Sequence, residues 1–255
     1  MKTDHIEQDG SVSWKLLFNV GGIAALLAVF VFRRNLGAEL MMLRGLFPAV
    51  PVALPVDAAG WFALLKQHPF IGLTLLEVFD LVEYALVGAV FLAVCVALWK
   101  VNRSAMLAAT VLGWAGIIAY FASNQAFALL ALSEHYAAAA SDLQRVSYLA
   151  AGEALLAIDN PGVLSQGTGI YVCMFLVPLA GLIMSLVMLR GPIFNKAAAV
   201  TGILANALIL CYFPVLAFAP SLLVFPFVLS APMRVTWYFL IALKLFKLGK
   251  DAGTV

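Results

Sequence analysis

Charged residues are scarce in this chain, and long polar stretches are missing. Asp, Glu, Lys and Arg make up 11% of the 255 residues, whereas soluble globular domains carry about 25%. Apolar runs take their place, and several exceed the roughly 18 to 20 residues that cross a lipid bilayer as a helix. The mean hydropathy of +1.04 excludes an ordinary soluble domain. A formal net charge of only +2 gives no reason to expect a nucleic-acid partner.

Patterns that would bind a metal or catalyse a reaction are also missing. Cys95, Cys173 and Cys211 each stand alone inside an apolar run, which argues against a disulfide framework and for small buried side chains. The three histidines show no ligand spacing, so we expect no metal site and no cofactor. The sequence has no nucleophile elbow, zinc-protease helix, P-loop or dinucleotide fingerprint. A non-enzymatic protein is the simpler expectation.

The alternation of apolar runs with basic residues predicts an all-α, polytopic membrane helix bundle of about six spans. Residues 133–162 lie between the third and fourth spans and carry five charged residues, so crossing the bilayer there would be costly. We expect this Ala-rich segment to form an outer, interfacial helical cap. The whole chain, 1–255, is predicted to be a single domain. The spans are predicted at about 14–32, 69–99, 105–132, 169–189, 197–219 and 221–246.

The positions of the charges predict an orientation. With both termini in the cytoplasm, nine of the 15 Lys and Arg residues lie inside, as the positive-inside rule requires, although Arg33 and Arg34 after the first span oppose it. Nine of the 13 acids then face the outer side, where they would attract cations. These nine acids are Glu39, Asp57, Glu77, Asp80, Glu83, Glu134, Asp142, Glu153 and Asp159.

Three acids three residues apart, in the stretch LEVFDLVEY, are the first candidate site. A helix through residues 76–84 would place Glu77, Asp80 and Glu83 on one side. They could form the mouth of an outward-facing polar cavity that binds a small cationic or amphipathic ligand, a lipid included. The alternative is that the end of the helix protrudes and its acids are simply hydrated.

Deeper polar residues could continue such a cavity. Arg234 lies ten residues before Lys244, roughly 15 Å into a hydrocarbon core about 30 Å thick. Arginine at this depth usually faces the bundle interior; Asn206 lies at a similar depth and Glu83 is the nearest counter-charge. Asn124 of the SNQ stretch is a further candidate. The alternatives are a buried structural pair, an arginine that snorkels outward, and ordinary hydrogen bonds between helices.

Three stretches resemble a bacterial multi-pass membrane family known only under a domain-of-unknown-function label. They are SNQAFALLALSEHYAAAASDLQRVSYLAAGEALLAI, SLVMLRGPIFNKAAAVTGILAN and LSAPMRVTWYFLIALKLFKLG. The resemblance extends over roughly residues 70–249. It implies a six-helix protein of the bacterial inner membrane, and it implies no activity and no functional residue.

Three functions stay open at this point. The first is a binding or accessory protein whose site comprises Glu77, Asp80, Glu83, Asn124, Asn206 and Arg234. Its partners would be membrane lipids, the ligand itself and either further copies of the chain or a partner subunit. The second is a small secondary transporter, which calls for two related halves or discontinuous helices. The third is a membrane-embedded transferase or hydrolase that uses an acid together with Arg234.

Overall fold

The structure, a computed structural model, describes residues 4–31, 53–159, 161 and 167–252. The predicted end of the first span with Arg33 and Arg34, and the predicted outer acid Glu39, lie outside these residues.

The described residues confirm the all-α fold: the structure is 86% helical, and these residues contain no strand. A 3₁₀ turn, Pro220–Leu222, precedes the last helix. The helices are α1 Asp4–Val31, α2 Ala58–Gln67, α3 Pro69–Leu75, α4 Val78–Leu98, α5 Arg103–Ser123, α6 Ala126–Ala138, α7 Asp142–Ile158, α8 Thr168–Arg190, α9 Lys196–Leu210, α10 Tyr212–Phe218 and α11 Val224–Asp251.

Five described helical segments are long and apolar enough to cross a membrane. Helix α1, the first of the six predicted spans, has a shorter apolar stretch, Trp14–Val29. The chain is therefore a membrane-embedded helical bundle. The five segments are Val78–Leu98, Arg103–Ala138, Thr168–Arg190, Lys196–Phe218 and Pro220–Asp251.

The chain packs into two compact units. Unit 1 comprises Met1–Phe32, Glu83–Ile118 and Val172–Val255, and unit 2 comprises Arg33–Val82 and Ala119–Tyr171. Each unit has its own cluster of buried apolar side chains.

In unit 1, close contacts at glycines join six helices into a closed circuit. A glycine has no Cβ, so it lets two helix backbones approach until one touches a side chain of the other, as in many membrane bundles. Around the circuit these contacts are Gly21 with Ala93 (α1–α4), Gly88 with Trp114 (α4–α5), Gly116 with Cys173 (α5–α8), Gly181 with Asn206 (α8–α9), Gly202 with Trp237 (α9–α11) and Gly249 with Asn19 (α11–α1).

Unit 2 is built around α2, which packs on α3, α6 and α7. Asp57 caps this helix, because its Oδ1 accepts a hydrogen bond from the Gly60 N–H at 2.8 Å. Trp61 and Phe62 are buried in the core of the unit. Phe62 lies beside Gly152 of α7, where an added Cβ would be 2.7 Å from its ring. The core of unit 2 thus depends on the aromatic side chains of one short helix.

Three of the predicted spans contain an interruption of the α-helix. The second breaks between Leu75 and Val78, the third between Ser123 and Ala126, and the fifth at Cys211. The fifth break has a simple cause, because Pro214 has no N–H to donate to the Leu210 carbonyl.

Substitution of Gly202 tests the circuit. A Cβ at this position would meet both Ser185 Oγ and Trp237 Nε1, so we expect Gly202→Ala to lower the free energy of unfolding by about 1–3 kcal/mol. Gly116→Ala is the matched control, since its Cβ would lie 3.1 Å from the side chains of Leu176 and Val177 and should cost less. Unfolding in mixed detergent micelles measures both. Equal losses for the two variants would contradict the predicted order.

Candidate functional site

Glu77 lies in the break between α3 and α4, not on a helix with Asp80 and Glu83. Its φ of 60° is left-handed, a conformation that costs a residue with a Cβ roughly 1–2 kcal/mol. The break keeps its peptide groups bonded: the Glu77 N–H donates to the Thr74 carbonyl at 3.1 Å, and the Asp80 N–H donates to the Glu77 carbonyl at 3.1 Å. The prediction of one helical stripe for all three acids was therefore wrong. Only Asp80 and Glu83 share a helix.

A hydrogen bond connects the start of α4 with the end of α5 in unit 2. The hydroxyl of Tyr120, which is fully buried, donates to Asp80 Oδ2 at 3.3 Å. One turn after Tyr120, the Asn124 N–H donates to the Tyr120 carbonyl at 3.0 Å. Asn124 Oδ1 then accepts from the Ala126 N–H at 3.2 Å, at the first turn of α6. Asp80 and Asn124 are thus both bonded to Tyr120, beside two helix interruptions.

Several other acids of unit 2 serve as helix caps. Glu153 Oε1 of α7 accepts a hydrogen bond from the Ala58 N–H at 2.8 Å, and Asp57 caps the same helix end. Asp142 lies in the first turn of α7 and pairs with Arg145 at 3.6 Å. Carboxylates stabilise helix N-termini because the peptide dipoles leave a partial positive charge there. Asp57 and Glu153 are therefore structural caps, whereas Glu77 and Asp80 lie at the first helix break.

In unit 1, Glu83 and Arg234 share one neighbourhood. Glu83 is buried, with 8% of its surface exposed, and both side chains act electrostatically on the buried Tyr238 hydroxyl. Arg234 Nη2 also lies 3.5 Å from the hydroxyl of the buried Ser230, one turn before it on α11. The opposite charges of Glu83 and Arg234 reduce the cost of holding either one inside an apolar bundle.

Asn206 is bound elsewhere in unit 1. Its Nδ2–H donates to the Gly202 carbonyl at 2.7 Å, and its Oδ1 faces Gly181 of α8. Ser185 Oγ donates to the Gly181 carbonyl at 2.7 Å. Asn206 therefore takes part in the packing of α8 against α9. Its side-chain hydrogen bond goes to Gly202 rather than to Arg234.

Two tyrosines at these sites were not among the predicted residues. Tyr120 bonds Asp80, and Tyr238 lies with Glu83 and Arg234. Helical spacing holds a usable signal for both, because Tyr120 is four residues before Asn124 and Tyr238 four residues after Arg234. On an apolar helix, an aromatic residue one turn from a candidate polar residue is therefore a candidate site residue as well.

The two units differ in charge. Among the described residues, unit 1 holds nine Lys and Arg residues and five acids, whereas unit 2 holds two Lys and Arg residues and seven acids. The formal net charges of these residues are therefore +4 and −5. A compact unit with a net negative charge attracts cations, and one with a net positive charge attracts anions.

The fold defines the class of the protein: a membrane-embedded, all-α helical bundle. No protein-family model matches the chain, and comparison with curated proteins and with solved structures gives no match. Within the described ranges, no group of three His, Cys, Asp or Glu residues could hold a metal ion.

A pair of substitutions tests the break at Glu77. In a continuous helix alanine is more stable than glycine by about 1 kcal/mol, whereas at a left-handed position glycine is favoured. Both Glu77→Gly and Glu77→Ala remove the carboxylate, so their difference reports the backbone alone. We expect the glycine variant to be the more stable by about 1 kcal/mol in chemical unfolding. A more stable alanine variant would show that the helix continues through residue 77.

Proposed function

We propose that the chain is a non-enzymatic binding protein of the bacterial inner membrane, with both termini in the cytoplasm. It holds a small cationic or amphipathic ligand on the outer side of the membrane. The five long apolar segments support a membrane location, and the excess of Lys and Arg at the predicted inner ends supports the orientation.

The observation that carries this proposal is the pair of interrupted helices in unit 2 with acids beside one of them. An interrupted helix directs peptide carbonyls and N–H groups away from the helix axis, and membrane proteins use such groups to bind ions and polar ligands. Glu77 lies in the first interruption, and Asp80 follows one turn later, bonded to Tyr120. Asn124 lies in the second interruption. Carboxylates and peptide carbonyls together favour a cation.

We assign the main ligand contact to Asp80. It is partly exposed, unlike Glu83, and its bond to the buried Tyr120 hydroxyl holds the carboxylate in place. The acids that cap helices, Asp57 and Glu153, are committed to N–H groups of α2. Membrane lipids surround the protein in this proposal. A second copy or a partner subunit would make it an accessory protein without changing the site.

Neutralising Asp80 tests the cation site. Asp80→Asn keeps an oxygen that can accept the Tyr120 hydrogen bond and removes the charge, so we expect cation affinity to fall about tenfold, which corresponds to about 1.4 kcal/mol. The measurement is the thermal unfolding midpoint of the full chain in neutral nanodiscs, titrated with tetramethylammonium, putrescine and sodium chlorides at constant ionic strength.

Glu134→Gln is the matched control, because Glu134 is an exposed acid of the same unit. Wild type and Glu134→Gln should be stabilised by at least one of the cations, and Asp80→Asn should need about ten times more of it. The proposal fails if none of the cations stabilises the wild type, or if both variants respond alike.

The interrupted helices also favour one alternative, a small secondary transporter. Transporters bind substrate and coupling ion where spans are discontinuous near the middle of the bilayer, and the described part of this chain has three discontinuous spans. Glu83 suits a proton carrier in such a protein, because it is a buried carboxylate close to a buried tyrosine hydroxyl and an arginine.

Uptake into proteoliposomes separates transport from binding. If the chain couples transport to protons, an imposed pH gradient should drive accumulation of a radiolabelled cation that binds in the titration above, and Glu83→Gln should abolish accumulation but leave binding intact. Lys66→Gln, a charge change on the exposed surface of unit 2, serves as the control. A wild type that binds the cation without accumulating it supports the binding protein and contradicts the transporter.

A further inference from the structure

Two loops of unit 1 touch each other. The loop between α4 and α5 contains Val101, and the loop between α8 and α9 begins at Gly191. An added Cβ on Gly191 would lie 2.8 Å from Val101 Cγ2, so the two loops are in direct contact. Phe194 anchors the second loop, because its buried side chain belongs to the same apolar core as Leu98 and Met106. The two turns therefore form one continuous surface.

This surface carries four exposed cations. Lys100 and Arg190 are the chain neighbours of Val101 and Gly191, the two residues in contact. Arg103 is the first residue of α5 and Lys196 the first residue of α9. Like charges gathered at the edge of an apolar bundle repel each other unless an anion lies between them. We name these four residues, Lys100, Arg103, Arg190 and Lys196, the cation cluster.

The segments around this cluster contain no acidic residue. No Asp or Glu occurs between Glu83 and Glu134, nor between Asp159 and Asp251. Within the described ranges, none of the four cations has a carboxylate within 4.0 Å. Within the described residues, the cluster is therefore a group of positive charges without a carboxylate partner.

Local structure increases this positive charge. Asn102 and Asn195 cap α5 and α9, accepting bonds from the Ala105 and Ala198 N–H groups at 3.1 and 2.8 Å. Aspartate would cap these helices equally well and would neutralise a cation, but the chain has the uncharged residue at both positions. A lysine or arginine at a helix N-terminus also adds to the partial positive charge of the peptide dipoles.

One of the cations is held in position by an aromatic ring. The Arg103 guanidinium carbon lies 4.8 Å from the centre of the Trp99 ring, a cation–π arrangement. Tryptophan is enriched at the level of the lipid headgroups, so Trp99 places this surface at the depth of the phosphates. An arginine fixed in this way loses less conformational freedom when it binds a phosphate.

We propose that the cation cluster binds the headgroup of an anionic phospholipid. The phosphate would lie over the contact between Val101 and Gly191, between Lys100 and Arg190, and Arg103 would donate from the Trp99 side. Basic loops alone are accounted for by membrane topology. Membrane topology does not require that two such loops touch each other or that the helices after them begin with uncharged caps. Nor does it require that one guanidinium stacks on a tryptophan. Basic surfaces between spans of this kind bind anionic headgroups.

A lipid titration tests the proposal. The full chain in neutral detergent is titrated with dioleoyl phosphatidylglycerol, and in parallel with dioleoyl phosphatidylcholine and with inorganic phosphate, while the thermal unfolding midpoint is followed. Each cation near a membrane surface contributes about 1 kcal/mol toward anionic lipid, or about fivefold in affinity. Lys100→Gln combined with Arg190→Gln should therefore weaken the apparent affinity for phosphatidylglycerol about 30-fold.

The matched control is Lys247→Gln combined with Lys250→Gln, which removes the same charge from exposed positions of α11. It should stay within about threefold of wild type, and both double variants should unfold like wild type in phosphatidylcholine. Equal weakening by the two double variants would overturn the proposal in favour of a diffuse charge effect. A wild type that responds equally to the two lipids, or that responds to phosphate alone, would overturn it as well.

Discussion

Hydrocarbon offers no hydrogen-bond partner to a peptide group, so a helix interrupted inside a membrane protein must satisfy its own free N–H and carbonyl groups. At the three interruptions in the described residues, N–H groups find acceptors within a few residues. At Glu77 a left-handed residue lets two N–H groups find carbonyls on either side of the break. At Asn124 a side-chain oxygen takes the N–H of Ala126. At Cys211 the backbone stays bonded from Ala207 on one side to Val215 on the other. Breaks satisfied in this way are stable structural features on which a site can be built.

Unit 1 and unit 2 use small and polar residues for different purposes. In unit 1 the glycines bring helices so close that Asn206, Ser185 and Trp237 touch the neighbouring backbone. Such contacts fill the spaces between helices with side chains. In unit 2 the polar residues Asp80 and Asn124 gather at helix ends around Tyr120, beside two helix interruptions. This contrast is why we place cation binding in unit 2 and assign Asn206 to packing.

The apolar runs were sufficient to predict the helices, because the length and composition of a span follow directly from the thickness of hydrocarbon. The cap at Asp57 was equally accessible, since its side chain bonds a neighbour three residues away. The break at Glu77 was not. No proline or glycine marks it, and a left-handed conformation is unfavourable for glutamate itself. Pro214, by contrast, marks the break at Cys211. Proline has no N–H, so the Leu210 carbonyl, four residues earlier, lacks its usual helical donor. The electrostatic interaction of both Glu83 and Arg234 with Tyr238 also joins distant parts of the chain.

Charge links the proposed ligand to the proposed lipid. Unit 2 carries the net negative charge; Asp57 and Glu153 cap one of its helices, and Glu77 and Asp80 lie at the first break. Unit 1 carries the net positive charge, and its cation cluster has uncharged asparagines as its nearest caps. A compact unit with a net charge of one sign attracts ions of the opposite sign, so unit 2 favours a cation and unit 1 favours an anion. The proposed cation and the proposed lipid phosphate follow these two preferences, and each proposal can be tested without the other.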